Sequence, residues 1–228
     1  MTMIADKLHK VHERIETAAT QFGRSANSVT LLAVSKTYGP DAVREAYAAG
    51  QQAFGENYIQ EGVEKITALR DLPLQWHCIG PIQSNKTRLV AEHFDWVHTI
   101  DRLKTAERLS AQRPATMAPL QVCIQVNVDG GPTKSGVVPS EAMALARAIT
   151  ALPNLRLRGI MCIPEPAPDF VSALALHERA RLVFEELRGE GLTLDTLSIG
   201  MSADLEAAIA AGSTMVRVGT AIFGSRGG

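Results

Sequence analysis

The chain has little of what marks several common protein classes. Among its 228 residues there are three cysteines, Cys78, Cys123 and Cys162, each in an apolar run and at spacings that suit neither a disulfide framework nor a metal site. Free, reduced thiols are expected, as in a reducing compartment. Neither sign of charge is in excess. Twenty-three lysines and arginines against 24 aspartates and glutamates leave a formal net charge of -1, which gives no electrostatic reason to expect nucleic acid or an anionic membrane as partner. No apolar stretch reaches membrane-spanning length, and the N-terminus, MTMIADKLHKVHERIETAATQFG, interrupts its apolar residues with charges too often for a signal peptide. A cytoplasmic protein is expected. No linker rich in proline, glycine or serine divides the chain, so a single domain over residues 1–228 is expected, with residues 1–24 forming an N-terminal helix packed on it.

What is there is an alternation. Short β-branched or apolar runs near 30–34, 52–54, 75–79, 96–99, 120–126, 155–161, 196–199 and 215–218 read as strands. Helical patterns fall between them, at about 40–49, 58–69, 85–93, 102–112, 139–152, 169–189 and 204–211. Eight strands with helical crossovers give an α/β fold, a single-domain (β/α)8 TIM barrel, with a doubly wound open sheet as the alternative. After the last strand about ten residues remain, too few for a full eighth crossover helix. Before the first strand, Ile4, Leu8, Val11, Ile15 and Ala18 recur at helical spacing, and this helix is expected to take the vacant outer position.

In such a barrel the functional residues gather at the C-terminal ends of the strands. The first strand runs TLLAVSK, and a two-residue period puts Leu32, Val34 and Lys36 on one face with Lys36 at the rim. If that face is inward, burial favours the neutral amine that attacks an aldehyde; the alternative is a solvated loop lysine. The last two strands end in Gly200-Met201-Ser202 and Gly219-Thr220, small residues at the place where barrels bind phosphate, although Ser202 also suits a helix cap and Gly219 a turn. Arg217 lies between Val216 and Val218 and must meet an acceptor or a carboxylate. A pyridine nitrogen is one such acceptor and Glu56 is the carboxylate alternative. Asn57 is expected to cap the helix that follows, with Gln60 three positions on. His77, mid-strand in WHCIG, reads as a satisfied core histidine. His9 and His12 share a helix face without further ligands, so no metal site is expected.

Taken together, LLAVSKTY (31–38), FGENYIQE (54–61), WHCIGPIQSNK (76–86), QVNVDGGPTKSGV (125–137), LRGIMCIP (157–164) and LSIGMSADLEAAIAAGSTMVRVGTAIFG (197–224) resemble the pyridoxal phosphate homeostasis protein family. The resemblance covers nearly the whole chain. It implies a fold-type III barrel similar to the N-terminal domain of alanine racemase, with pyridoxal 5′-phosphate as a Schiff base on the lysine matching Lys36. By the same match Ser202, Gly219 and Thr220 hold the phosphate, Arg217 faces the pyridine nitrogen, and Asn57, His77 and Met201 lie near the cofactor. Two departures touch none of the anchors: Cys78 stands where an aromatic is more usual, and the loop at 129–133 carries two glycines. Lys134, in that loop, is the alternative lysine.

The implied function is vitamin B6 homeostasis by a monomeric carrier that has no catalytic residues, turns nothing over, and meets apo-enzymes only transiently. An amino-acid racemase is the alternative. It needs a second base, which racemases draw from a C-terminal β-domain of the partner subunit. The chain ends at Gly228, and Tyr38, Tyr47 and Tyr58 all lie near the first two strands, so no such base is expected. A class I aldolase binding a sugar directly on Lys36 is a third possibility.

Overall fold

Eight short strands pair in parallel and in chain order, the last against the first, in the computed structural model, which describes residues 2–131 and 135–224. They are β1 (Thr30–Val34), β2 (Ala53–Glu56), β3 (Gln75–Cys78), β4 (Trp96–Ile100), β5 (Leu120–Gln125), β6 (Leu155–Met161), β7 (Thr196–Ser198) and β8 (Met215–Val218). Closure excludes the open-sheet alternative. The strands run where the apolar runs placed them, with ends shifted by one or two residues.

Each strand is buried on both faces, as a parallel barrel requires. Leu31 and Ala33 turn outward into the large apolar layer beneath the helices. Leu32 and Val34 turn inward and meet Ala53, Ile79 and Met215, while Trp96, Cys123 and Met161 fill another part of the interior. All three cysteines are free and buried.

Helices α1 (Met3–Gln21), α2 (Pro40–Ala48), α3 (Ile59–Ala68), α4 (Thr87–His93), α5 (Leu103–Gln112), α6 (Pro139–Thr150), α7 (Phe170–Gly189) and α8 (Leu205–Ala211) surround the barrel. Thr2 caps α1, its hydroxyl accepting the Ala5 amide at 3.3 Å. The face expected to be apolar is the buried one, carrying Leu8, Val11, Ile15 and Ala18. It packs against α8, α2 and a short helix α9 (Thr220–Phe223) that the sequence did not announce. The N-terminal helix thus closes the ring of helices at the seam between β8 and β1, the seam at which the candidate residues gather.

Candidate functional site

β1 stops at Val34, and Lys36 follows in a turn, exposed to solvent. Of the two readings of Lys36, buried on an inward face or solvated in a loop, the structure has the second, because strand geometry ends at Val34 and a turn holds the residue at the rim. What is buried is the support beneath. Lys65, on α3 and 3 % exposed, donates to the Ser35 carbonyl at 2.6 Å and to Oε1 of both Glu56 and Glu61 at 2.7 Å. Glu61 also accepts the Thr37 amide at 2.5 Å, and the Ser35 hydroxyl donates to Glu56 at 2.7 Å. Burial pushes the Glu56 carboxyl above its ordinary range although Lys65 and Ser35 pull the other way. Thr37 takes φ of 69°, a left-handed conformation that is strained for a β-branched residue. The peptide groups on both sides of Lys36 are therefore tied to one buried ion cluster, which offsets that strain.

On the other side of β1 lies β8, with Ala33 opposite Val218. Gly219 follows β8, and a Cβ there would press to 3.2 Å on the Val34 carbonyl oxygen. Thr220 then opens α9, whose first amides have no intrahelical acceptor. Its hydroxyl lies 3.5 Å from that of Ser202, on the loop after β7. Gly200 allows that loop to form: its φ is 98°, and a Cβ would come within 2.4 Å of the Ala208 side chain.

Three elements hold the loop. Asp204 accepts the Met201 amide at 2.7 Å and pairs with buried His177 at 2.8 Å, and Arg14 of α1 reaches the Ser202 carbonyl at 3.1 Å while gripping Glu206 with two hydrogen bonds of 2.9 Å. Burial pushes Asp204 up, but the bonds from His177 and the Met201 amide more than offset this and leave its carboxyl low. The Met201 side chain is exposed at the rim.

Arg217 points into the barrel just below and is 4 % exposed. Its Nη1 donates at 2.8 Å to both the carbonyl and the hydroxyl of Ser198, and Nη2 donates to the Cys162 carbonyl at 3.0 Å. The Glu56 alternative is overturned, since Glu56 pairs with Lys65. Burial lowers the guanidinium to about 10, so it stays charged near neutral pH. Nε and the remaining Nη2 hydrogen meet no partner among the described residues.

One expectation falls out differently and another is met. Asn57 does not cap α3: Tyr58 holds the cap position without a side-chain bond, and the Asn57 Oδ1 is buried with no partner. His77 is the satisfied core histidine expected from its mid-strand place: it is fully buried inside the barrel, with both ring nitrogens engaged by Gln75 and His98. Lys134 lies outside the described residues. Among the described residues no group of three histidine, cysteine or acidic side chains is placed to hold a metal.

The structure thus gathers Lys36, Ser202, Arg217, Gly219 and Thr220 at the ends of three adjacent strands, with Asn57 on the next. This donor set fits a phosphorylated pyridine aldehyde. It offers an accessible amine for the aldehyde, paired hydroxyls with helix-start amides for the phosphate, and free N–H groups on Arg217 for a ring nitrogen.

Comparison with known proteins gives the family and the fold. The family model for the alanine racemase N-terminal domain matches residues 7–227. The pyridoxal phosphate homeostasis protein of Pseudomonas aeruginosa is 58% identical over 226 residues, which is 99% of this chain and 97% of that protein. The Escherichia coli K12 protein of the same name is 54% identical over 229 residues, 99% of this chain and 98% of that one. PipY of Synechococcus elongatus has been solved with pyridoxal phosphate bound; it superposes with a TM-score of 0.84 at 39% identity, covering 97% of this chain and all (100%) of PipY. Alanine racemase of Clostridium difficile shares the fold alone, with a TM-score of 0.75 at 15% identity over 98% of this chain and 58% of that one.

Proposed function

The chain belongs to the pyridoxal phosphate homeostasis protein family, within the wider family of the alanine racemase N-terminal domain, and from that premise we propose that it holds pyridoxal 5′-phosphate on Lys36 as a carrier in vitamin B6 homeostasis. The observation that carries this reading is the seam between β1 and β8, where an exposed lysine, two hydroxyls 3.5 Å apart and a buried arginine meet. When bound, the cofactor supplies an aldehyde that condenses with the Lys36 amine, with loss of water, to a Schiff base. The residues of the chain do the rest. Lys65 and Glu61 hold the turn that presents Lys36, and Ser202, Gly219 and Thr220 receive the phosphate. Met201 and Asn57 border the ring.

Arg217 donates to the ring nitrogen and keeps it unprotonated, which weakens the ring as an electron sink. The Tyr38 hydroxyl, a candidate second base, is occupied with the Gly224 carbonyl at 2.8 Å. Both features favour a carrier without turnover over a racemase. The carrier acts as a monomer in the cytoplasm and passes its cofactor transiently to apo-enzymes. No helix among the described residues is long and apolar enough to cross a membrane.

The test is the visible spectrum of the purified protein before and after borohydride, followed by mass mapping of the reduced peptide. A yellow protein whose modified residue is Lys36 supports the reading. A colourless protein, or one carrying a sugar adduct on Lys36, restores the aldolase alternative.

A further inference from the structure

Behind Arg217 a file of polar side chains runs down the inside of the barrel. Arg217 Nη1 lies 2.8 Å from the Ser198 hydroxyl, which lies 2.9 Å from His98 Nδ1. His98 Nε2 is 2.8 Å from His77 Nδ1, and His77 Nε2 is 3.0 Å from Gln75 Oε1. Ser198, His98 and His77 are fully buried, whereas Gln75 is exposed at the floor and lines a cavity there with Trp96, Gln121 and Arg158.

The protons in this file have one consistent arrangement. A guanidinium only donates, so the Ser198 oxygen accepts from Arg217 and its own hydrogen goes to His98 Nδ1. His98 then carries its proton on Nε2 and donates to His77 Nδ1, and His77 carries its proton on Nε2 and donates to Gln75. Reversing the file would give the serine oxygen two donors and leave its hydrogen without an acceptor in a packed interior. Burial keeps both rings neutral, His77 near 3 and His98 well below its ordinary value.

We propose that Ser198 and His98, backed by His77 and Gln75, are positioning residues that fix the Arg217 guanidinium for recognition of a pyridine ring nitrogen. Every hydrogen in the file points away from the cofactor site toward the floor. The file therefore orients Arg217 without offering a route by which a proton from the floor could reach the ring. This deepens the reading of Arg217 given above and rests on it.

The experiment compares two ligands, pyridoxal 5′-phosphate and its 1-deaza analogue, in which a CH replaces the ring nitrogen. Dissociation constants are measured for wild type, Ser198→Ala and His98→Phe, with thermal melting of each apo-protein. Ser198→Ala removes one oxygen and leaves the backbone bond to Arg217, so it carries the test even if His98→Phe does not fold. The expected result for Ser198→Ala is a loss of about tenfold in affinity for pyridoxal phosphate, the scale of one hydrogen bond to a charged group. Affinity for the deaza analogue should change less than about twofold. Equal losses for both ligands would mean that the file supports the fold rather than Arg217 and would overturn the proposal, as would unchanged affinity for pyridoxal phosphate. If wild type binds both ligands equally well, Arg217 does not read the ring nitrogen and the proposal falls while the carrier reading survives. If wild type binds neither, the carrier reading itself falls, and the proposal with it.

Discussion

At the β1 edge of the mouth the side chain proposed to react, Lys36, is exposed, and it is its backbone neighbours that are tied to buried charges. At the β8 edge the functional side chain, Arg217, is itself buried and hydrogen-bonded to Ser198 and Cys162. The difference follows from what each group has to do. An amine proposed to capture and release an aldehyde must move, and here its platform is fixed while the side chain stands exposed. A cation proposed to set the protonation of a ring must not move, and here the side chain itself is fixed.

The largest expected effect breaks the β1 edge at its tip. Lys36→Ala abolishes the borohydride-reducible adduct while the melting temperature stays near that of wild type, since an exposed lysine contributes little to packing. A variant that kept a reducible adduct would move the site to another lysine, Lys134 first. Lys65→Met attacks the platform instead and reverses the pattern. It strands Glu56 as an uncompensated buried charge and is expected to cost about 3–5 kcal/mol in denaturant unfolding. A cost below about 1 kcal/mol would show that the cluster does not hold the turn. Adding Glu56→Gln to that variant should recover part of the loss.

On the β8 edge the effects are smaller. Thr220→Val is expected to weaken binding of pyridoxal phosphate by about 1–3 kcal/mol, as for one charge-assisted hydrogen bond, and to leave binding of unphosphorylated pyridoxal, itself far weaker, unchanged. Equal affinities of wild type for the two ligands would remove the phosphate site from Ser202, Gly219 and Thr220.

The smallest effect sharpens the contrast by pH. His77 and His98 are neutral in the folded chain down to low pH but take up protons near 6.5 when unfolded. The unfolded state thus binds more protons below that value, so stability is fully present above about pH 6.5 and falls as pH drops toward 3, by up to roughly 1.4 kcal/mol per pH unit for each ring. Glu56 and Asp95, raised by burial, act in the opposite sense: their contribution grows as pH falls through the raised folded values and levels off at the ordinary carboxyl value of the unfolded chain. Urea midpoints at pH 7.5 and 5.5 check this, and a flat profile would mean the rings are not buried as neutral groups.

Much of this was legible in the sequence because it is local. Strand and helix alternation, the apolar stripe of the first helix, and the glycine and hydroxyl residues after the last two strands all sit in short windows, and the structure keeps them. The supports were not legible, because they join distant segments. Lys65 on α3 reads as an ordinary solvated lysine, and only folding shows that it lies beneath Ser35, 30 residues away. The bond from Ser198 to His98 spans 100 residues, and no local pattern announces it. A period-two reading offered a partial signal, since Gln75 with His77, and Ser198 on its own strand, put polar groups at inward positions where apolar ones are the rule. Asn57 misled because a good capping residue lies one position too early, and the two readings of Lys36 stayed open because the sequence does not show that the strand ends before it.

A site that holds its cofactor without turning substrate over leaves the α-proton of an amino acid in place, and proton exchange reads this out. The loaded protein is incubated with a panel of L-amino acids in deuterium oxide, and loss of the α-proton is followed by NMR. The account predicts exchange no faster than with free pyridoxal phosphate, because Arg217 keeps the ring a poor electron sink and Tyr38 is occupied with Gly224. Exchange at about 1 per second or faster, an ordinary enzymatic rate, would contradict it and restore the racemase.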